Sequence, residues 1–495
     1  MRNDSPAHID LRAVAHRLVI EAGFAPDLPP AVEREVEALD GNQPNITAAP
    51  SPRDLRSLLW SSVDNQESRD LDQVEYVERR ADGDIQVMVG IADVDAFVPV
   101  GSATDQHAAE NATSVYTGVE TFPMLPERLS TDITSLLGGV ERLAVIIDMT
   151  VTPTGEVRSS DTYRARIHNY AKLDYESVGN WLEGRGPLPS AAAGVPGMEA
   201  QLRLQDEAAD RLHAMRRRLG ALDLETIEAS PVTDNGRIVD LTVKQKNRAR
   251  SVIEEFMVAA NQAMAVFLMA KGAPTIQRVV RTPERWPRIV EIAEALGDSL
   301  PAEPDSLALS IFLARRKQAD PDHFPDLSMS VVKLLGAGEY AVIQPGAAHE
   351  GHFGLAAHDY THSTAPNRRF ADLVTQRLIK AVTTGRAVPY TTDELARIAD
   401  HCTERDRAAK KVERKMRKVA AAVLLTGRIG DEFDAIVTGV TPKGTFARLI
   451  APPAEGRVVR GERGLDVGDN VRVRLVGTDA ERGFIDFAAE SVGGG

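Results

Sequence analysis

The chain carries a single cysteine, Cys402, in 495 residues. An internal disulfide is therefore excluded, and no thiolate cluster is available for zinc. Long apolar runs are also lacking. None approaches the roughly 20 residues that a membrane-crossing helix needs, so no membrane span is expected. The opening Met-Arg-Asn-Asp-Ser-Pro-Ala-His lacks the basic-then-apolar order of a secretion signal, and a cytoplasmic protein is expected. A surplus of positive charge is missing too: the formal net charge is −14, which argues naively against a polyanionic partner. Local potential decides phosphate binding, however, and the basic residues are clustered. Arg405 to Lys418 holds Arg405, Arg407, Lys410, Lys411, Arg414, Lys415, Arg417 and Lys418 against only Asp406 and Glu413. Smaller groups stand at Arg216-Arg217-Arg218, from Lys244 to Arg250, and at Arg368-Arg369. Any one of them can be a solvated helix face; together they suggest a lined groove.

What is present is the composition of a folded globular protein, 43% hydrophobic and 26% charged. The length suggests about two to four domains. Residues 1–45 read as a helical module: Leu11, Val14, Ala15 and Leu18 form one stripe behind Asp10 as N-cap, and Val32 to Leu39 resume it. Two such helices suit either a helix-turn-helix-like unit or packing onto the next domain. Asn42 to Pro52 reads as a linker. Residues 46–426 follow as a large α+β domain. Its strands include Val74–Arg80 and Ile85–Ile91 around the hairpin signal Ala81-Asp82-Gly83-Asp84, then Leu143–Val151, and its long helices lie near 199–219, 249–271, 366–384 and 392–425. Residues 427–495 offer five short strand candidates, the pattern of an OB-type barrel that holds single-stranded nucleic acid or oligosaccharide, with an SH3-like barrel as the alternative. In that barrel Phe446 and Arg448, with Arg472 and Arg474 on a neighbouring strand, are expected to stack bases and contact phosphates.

The chemistry concentrates between Ser61 and Gln73, where Asp64, Asp70 and Asp72 fall within nine residues. Asp70 and Asp72 project from one face of an extended segment, and Asp64 is far enough away to loop back. Converging carboxylates suit a hard divalent cation such as Mg²⁺ held against a phosphodiester. Taken alone, three such acids are more often a solvated strand entry.

Later blocks change that reading. Val63-Asp64-Asn65-Gln66-Glu67-Ser68-Arg69-Asp70-Leu71-Asp72 is followed by Ile91-Ala92-Asp93-Val94, Thr113-Ser114-Val115-Tyr116 and Pro123-Met124-Leu125-Pro126-Glu127-Arg128-Leu129-Ser130. Then come Ile253-Glu254-Glu255-Phe256-Met257, His352-Phe353-Gly354-Leu355-Ala356, Tyr360-Thr361-His362 and Pro366-Asn367-Arg368-Arg369-Phe370-Ala371-Asp372-Leu373. In this order the blocks resemble the catalytic domain of the ribonuclease II and ribonuclease R family, with the tail similar to its RNA-binding barrel. The resemblance implies a processive 3′-to-5′ exoribonuclease that hydrolyses single-stranded RNA to nucleoside 5′-monophosphates with Mg²⁺, or Mn²⁺, acting as a monomer on an RNA 3′ end. It implies Asp64, Asp70 and Asp72 as metal ligands and Arg368 as the clamp on the scissile phosphate, with Asp70 and Asp72 also catalytic. Tyr116 would stack on the terminal nucleotide, while Glu254, Glu413 and Arg369 would contact RNA.

Two departures stand out. Gln73 occupies the place of the family's fourth acid and brings a carbonyl but no charge. Leu224 follows Gly220-Ala221-Leu222-Asp223, where the family has an aromatic partner for the tyrosine clamp. Both motivate an alternative, an RNA-binding regulator with a catalytically impaired fold of this type. His358 and His362, four apart, read as structural or RNA-contacting residues, because no third metal ligand has suitable spacing.

Overall fold

The computed structural model describes residues 9–39, 51–225, 229–234, 237–243, 246–321 and 323–489. Most of the expected Asn42–Pro52 linker, Lys244 and Gln245 of one basic group, and the Gly493–Gly495 end lie outside them. At the centre is a curled sheet of β1 (Trp60–Asp64), β2 (Gln73–Arg79), β3 (Ile85–Ala92), β4 (Glu141–Val151) and β5 (Val157–Asp174), with Arg53–Asp54 on its edge. β5 runs for 18 residues; its first part pairs antiparallel with β4 and its end pairs parallel with β1, so one strand closes the sheet on itself. β2 and β3 form the expected hairpin, with Gly83 at φ +87° in its turn. Gly90 lets the layers close: a Cβ there would meet Val74 at 3.0 Å and Ile146 at 3.3 Å.

Two long helices back this sheet, α3 (Met198–Leu219) and α4 (Arg248–Ala270). α4 is capped by Asn247, whose side chain accepts the Arg250 N–H. By length and composition α4 alone, among the described residues, matches a membrane span, contrary to the sequence expectation, yet 67% of its apolar window is buried inside the protein. Its apolar residues are spent on contacts with the sheet, and Phe256, Ala260 and Met264 share the core with Trp60, Val89 and Ile147. Strands β6 (Thr275–Val279) and β7 (Glu339–Ile343) make a separate antiparallel pair, with α5 (Phe324–Leu335) between them in the chain. α6 (Phe370–Thr383) and α7 (Thr392–Leu425) follow. α7 starts at a full capping box, Thr391 with Glu394, which satisfies backbone donors at both ends of the motif.

The barrel strands β8 (Glu432–Thr441), β9 (Gly444–Leu449), β10 (Glu455–Arg460), β11 (Asn470–Asp479) and β12 (Phe484–Ala489) close in the order β8-β9-β10-β12-β11. Ala421, Ala422 and Leu425 of α7 reach into the same core as Phe433, Val473 and Phe487, which anchors the barrel to the helix.

The two N-terminal helices, α1 (Leu11–Glu21) and α2 (Pro30–Glu37), follow the packing alternative. α1, capped by Asp10, buries Leu11, Val14 and Val19 against Val115 and Phe122 and against Val412 and Met416 of α7. α2 gives Val32 and Val36 to the central core instead. Each stripe is thus satisfied by a different surface.

Candidate active site

The acidic loop is shaped by one apolar anchor. Leu71 is fully buried; its N–H donates to Ser135 Oγ at 2.9 Å, and Ser135 Oγ in turn donates to the Arg69 carbonyl at 2.6 Å. With Leu71 turned inward, Asp70 and Asp72 on either side face the same cavity, as the spacing predicts. Lys172 Nζ holds the loop from the other side, donating to the carbonyl of Ser68 at 2.6 Å. Asp64 ends β1, and its Oδ1 accepts the Asn65 N–H at 2.6 Å and the Ser68 hydroxyl at 3.0 Å. The three carboxylates and Gln73 line one cavity of about 390 Å³, together with Tyr116 and Arg368.

Arg368 arrives from the turn after Pro366. The Asn367 N–H donates to Asp72 Oδ1 at 3.1 Å, and Arg368 Nε lies 3.4 Å from Asp72 Oδ2. The Arg368 side chain is 44% exposed while that of Asp72 is 4% exposed, so the arginine bridges a buried acid and an open pocket. Its terminal guanidinium nitrogens make no hydrogen bond among the described residues. Tyr116 is 40% exposed; its hydroxyl donates to Asp70 Oδ2 at 3.4 Å, and its N–H donates to Glu413 Oε1 at 3.1 Å. Helix α1 packs behind this segment and behind α7, which carries Glu413. That is the contribution of the N-terminal residues to the site.

Burial of Asp72 pushes its carboxyl up to about 7, with the Asp70 and Asp372 charges adding to the effect and Arg368 and the Asn367 N–H opposing it. Burial likewise raises Asp70, against the pull of Arg368. Glu75 is the extreme case. It lies two residues beyond Gln73 on the same face of β2 and is fully buried, and neither carboxyl oxygen has a hydrogen-bond partner. Burial and the neighbouring Asp64 charge hold it well above the ordinary carboxylate range. Crowded acids with one orphaned carboxyl beside them are short of positive charge. An all-oxygen donor set of three carboxylates and an amide carbonyl fits a hard divalent ion of the Mg²⁺ class.

Several expected site residues lie elsewhere. Arg369 turns away from the cavity and pairs with the buried Asp372 at 2.7 Å, while Asp372 also accepts the Ala365 N–H at 2.8 Å. Glu254 faces Lys246 at 2.9 Å and Arg216 at 4.0 Å instead of the carboxylates, because Arg250, Ile253 and Met257 form the helix face that lines the cavity. Leu224 packs on the helical cluster of Trp286, Ile289 and Phe312. Phe446 is half-buried on β9, outside the cavity. Arg448 grips Asp326 of α5 through two bonds of 2.7 and 3.1 Å. Arg472 and Arg474 sit on β11, which pairs with β8 and not with β9, and they bind Asp434 and Glu432. These barrel arginines are held by acids on the protein itself, Arg448 by a helix and Arg472 and Arg474 by the adjacent strand, where opposite charges lie within reach.

The sequence reading placed Arg250 only in a basic group and missed Tyr175. The Arg250 guanidinium lies 4.3 Å from the Tyr175 ring centroid, and its Nη2 donates to Asn65 at 3.3 Å, so the pair forms the far wall. The helical spacing of Arg250, Ile253 and Met257 was the available signal.

Comparison with known proteins agrees with this picture. The family model described as the RNB domain matches residues 52–385, and the RNase II-type exonuclease C-terminal S1 domain matches residues 431–490. Ribonuclease R of Thermotoga maritima is 31% identical over 465 residues, 88% of this chain and 64% of that one. The chain spans about half to two thirds of the length of the curated relatives it matches. A structure of Mycoplasma genitalium RNase R in complex with ribose-methylated single-stranded RNA superposes with a TM-score of 0.86 at 22% identity, covering 97% of this chain and 78% of that one. Yeast Ssd1, described as a pseudonuclease, superposes with a TM-score of 0.70 at 16% identity over 95% of this chain and 57% of its own. The fold is therefore α+β, an RNB-type domain followed by a five-stranded S1 barrel.

Proposed function

The chain belongs to the ribonuclease II and ribonuclease R family of RNB-domain proteins, and on that premise we propose that it is a Mg²⁺-dependent 3′-to-5′ exoribonuclease. It hydrolyses single-stranded RNA processively to nucleoside 5′-monophosphates, with Mn²⁺ as a substitute ion. One observation carries this reading: Asp64, Asp70, Asp72, Tyr116 and Arg368 converge on a single cavity. Asp64, Asp70, Asp72 and the Gln73 carbonyl would hold the ions. Bound there, they supply a nucleophilic water and neutralise charge on the phosphoryl and leaving oxygens. Arg368 offers its planar fork to the scissile phosphate, which it can do without releasing Asp72, since its closest approach to that acid is through Nε. Tyr116, with its backbone held by Glu413, presents a ring face to the terminal base.

The pseudonuclease likeness makes the regulator alternative concrete, since the fold alone does not decide activity. The deciding assay incubates 3′-labelled single-stranded RNA with Mg²⁺ or with chelator. Metal-dependent release of monophosphates supports the enzyme; binding without turnover by the wild-type protein would leave the regulator.

The missing charge at Gln73 has a candidate replacement in Glu75. Glu75→Gln keeps the shape and removes the charge, and it is expected to weaken Mn²⁺ binding by roughly 10-fold or more, read by electron paramagnetic resonance titration. Unchanged affinity would mean that Glu75 stays protonated and takes no part.

A pH dependence follows from Asp72. Its folded-state value of about 7 exceeds the ordinary 3.8, so between these values the folded protein holds a proton that the unfolded chain has lost. That contribution favours folding at low pH and disappears as pH rises through 7. The ion must displace the same proton. Mn²⁺ affinity should therefore fall about tenfold per unit below pH 7 and level off above pH 8, measured by calorimetry in buffers of different ionisation heat. A flat profile from pH 6 to 8 would contradict it.

A further inference from the structure

A second cluster of ligating groups lies outside the carboxylate cavity, in the loop that follows β7. The chain doubles back at Gly351, where φ is +73° and a Cβ would meet the Ala357 carbonyl oxygen at 2.4 Å and that of His358 at 2.7 Å. Only glycine permits so close a return. The His352 N–H donates to the Ala357 carbonyl at 2.7 Å and closes the loop. This brings together three side chains that the sequence separates. His349 Nε2 lies 3.1 Å from Asp359 Oδ1, and His358 Nδ1 lies 3.2 Å from Asp359 Oδ2. The two imidazole centroids are 4.2 Å apart, and one ligand atom from each of the three residues falls within 4.8 Å of the others.

The hydrogen bonding around His349 is what calls for an ion. Its Nδ1 lies 3.2 Å from the Ala347 carbonyl, an acceptor only; a neutral ring has one proton, and the tautomer that donates there keeps it on Nδ1. Nε2 then points an unshared pair at two more acceptors, Asp359 Oδ1 at 3.1 Å and the His358 carbonyl at 3.0 Å. That contact repels unless a second proton or a cation lies in it, and the His349 side chain is only 6% exposed. A backbone carbonyl on the far nitrogen is also the usual support for a metal-bound imidazole. Gln277 steadies the carboxylate by donating to Asp359 Oδ1 at 3.2 Å.

We propose that His349, His358 and Asp359 form a three-ligand site for a zinc-class divalent ion, with its remaining position open to solvent. Tetrahedral bonds of about 2.0–2.1 Å put ligand atoms roughly 3.3 Å apart, close to the 3.1 and 3.2 Å that separate the two imidazoles from the Asp359 carboxylate, while the three ligand atoms all lie within 4.8 Å of one another. Two imidazoles select Zn²⁺, Co²⁺ or Ni²⁺ over Mg²⁺, the reverse of the all-oxygen cavity. His362, the other histidine of the His358–His362 stretch, does not join: it is buried, and its Nδ1 meets the Tyr340 hydroxyl at 2.8 Å. The ion would staple the loop that leads into the Pro366–Arg368 turn.

The test uses the full chain, stripped with chelator and titrated with Co²⁺ in excess Mg²⁺, which fills oxygen sites. One equivalent should give the visible absorption of low-coordinate Co²⁺ and be displaced by Zn²⁺, and Zn²⁺ should raise the melting temperature. His358→Ala, at an exposed side chain, and Asp359→Asn should each lower Zn²⁺ affinity at least tenfold and abolish the thermal shift, whereas Asp70→Asn should keep both. Wild-type protein without the Co²⁺ absorption would overturn the site and leave a protonated His349 paired with Asp359. Absorption retained by His358→Ala, or lost in Asp70→Asn, would overturn it equally.

Discussion

Replacing Asp72 by asparagine is expected to lower single-turnover cleavage of 3′-labelled RNA by about 10³-fold or more, which is ~4 kcal/mol of transition-state stabilisation. The substitution is isosteric. The Asn367 N–H can still donate to the amide oxygen, so the Pro366 turn keeps its tie to the acidic loop. What disappears is the one negative charge that touches both the proposed ion site and Arg368. Folding should not suffer, because a carboxyl that burial pushes up to about 7 is itself costly to ionise. The variant should melt at or above the wild-type temperature and still bind single-stranded RNA. A rate within tenfold of wild type would sink the assignment of Asp72, whatever the metal dependence.

How much of this was legible beforehand differs by element. The helix Thr392–Leu425 behind Thr391 was readable to the residue, whereas the helix expected from residue 366 begins only at Phe370, after the Pro366 turn, and the five barrel strands were located by the Pro and Gly turns between them. The 18-residue β5 was not. Its sequence mixes charges with apolar residues because one strand serves two partners, and no local period records that. Within the site, Asp64, Asp70, Asp72, Tyr116 and Arg368 were found because an ordered set of blocks identified them. Side-chain direction was the weaker part. On α4 successive residues turn by about 100°, so Glu254 leaves the cavity face that Arg250, Ile253 and Met257 share. The fates of Arg368 and Arg369 were decided by two acids, Asp72, distant in sequence in the loop before β2, and Asp372, buried three residues beyond Arg369. Glu75 hid for a different reason. The sequence marked this segment only as one strand of a hairpin, which gave no hint that this acid faces inward beside Gln73.

Those two adjacent arginines should separate cleanly by experiment. Arg368→Ala is expected to reduce the single-turnover rate by roughly 10²–10³-fold, the loss that follows removal of one preorganised donor to a developing charge. Its side chain is 44% exposed and pairs with Asp72 only through a 3.4 Å contact, so the melting temperature should change little. Arg368→Lys keeps a charge but loses the planar fork, and it should recover only part of the rate. Arg369→Ala should behave in the opposite way. It strips the partner from Asp372, which is fully buried and whose Oδ2 already lacks a hydrogen bond. Breaking a buried pair by deleting one member costs on the order of 3 kcal/mol, so that variant should melt several degrees lower. At a temperature where it remains folded, its cleavage rate should stay within about tenfold of wild type. The two measurements, melting and single-turnover rate on each variant, decide the matter jointly. If Arg369→Ala proved inert at full stability while Arg368→Ala stayed active, the phosphate clamp would have to move to Arg369, and the pairing with Asp372 would have to open for it.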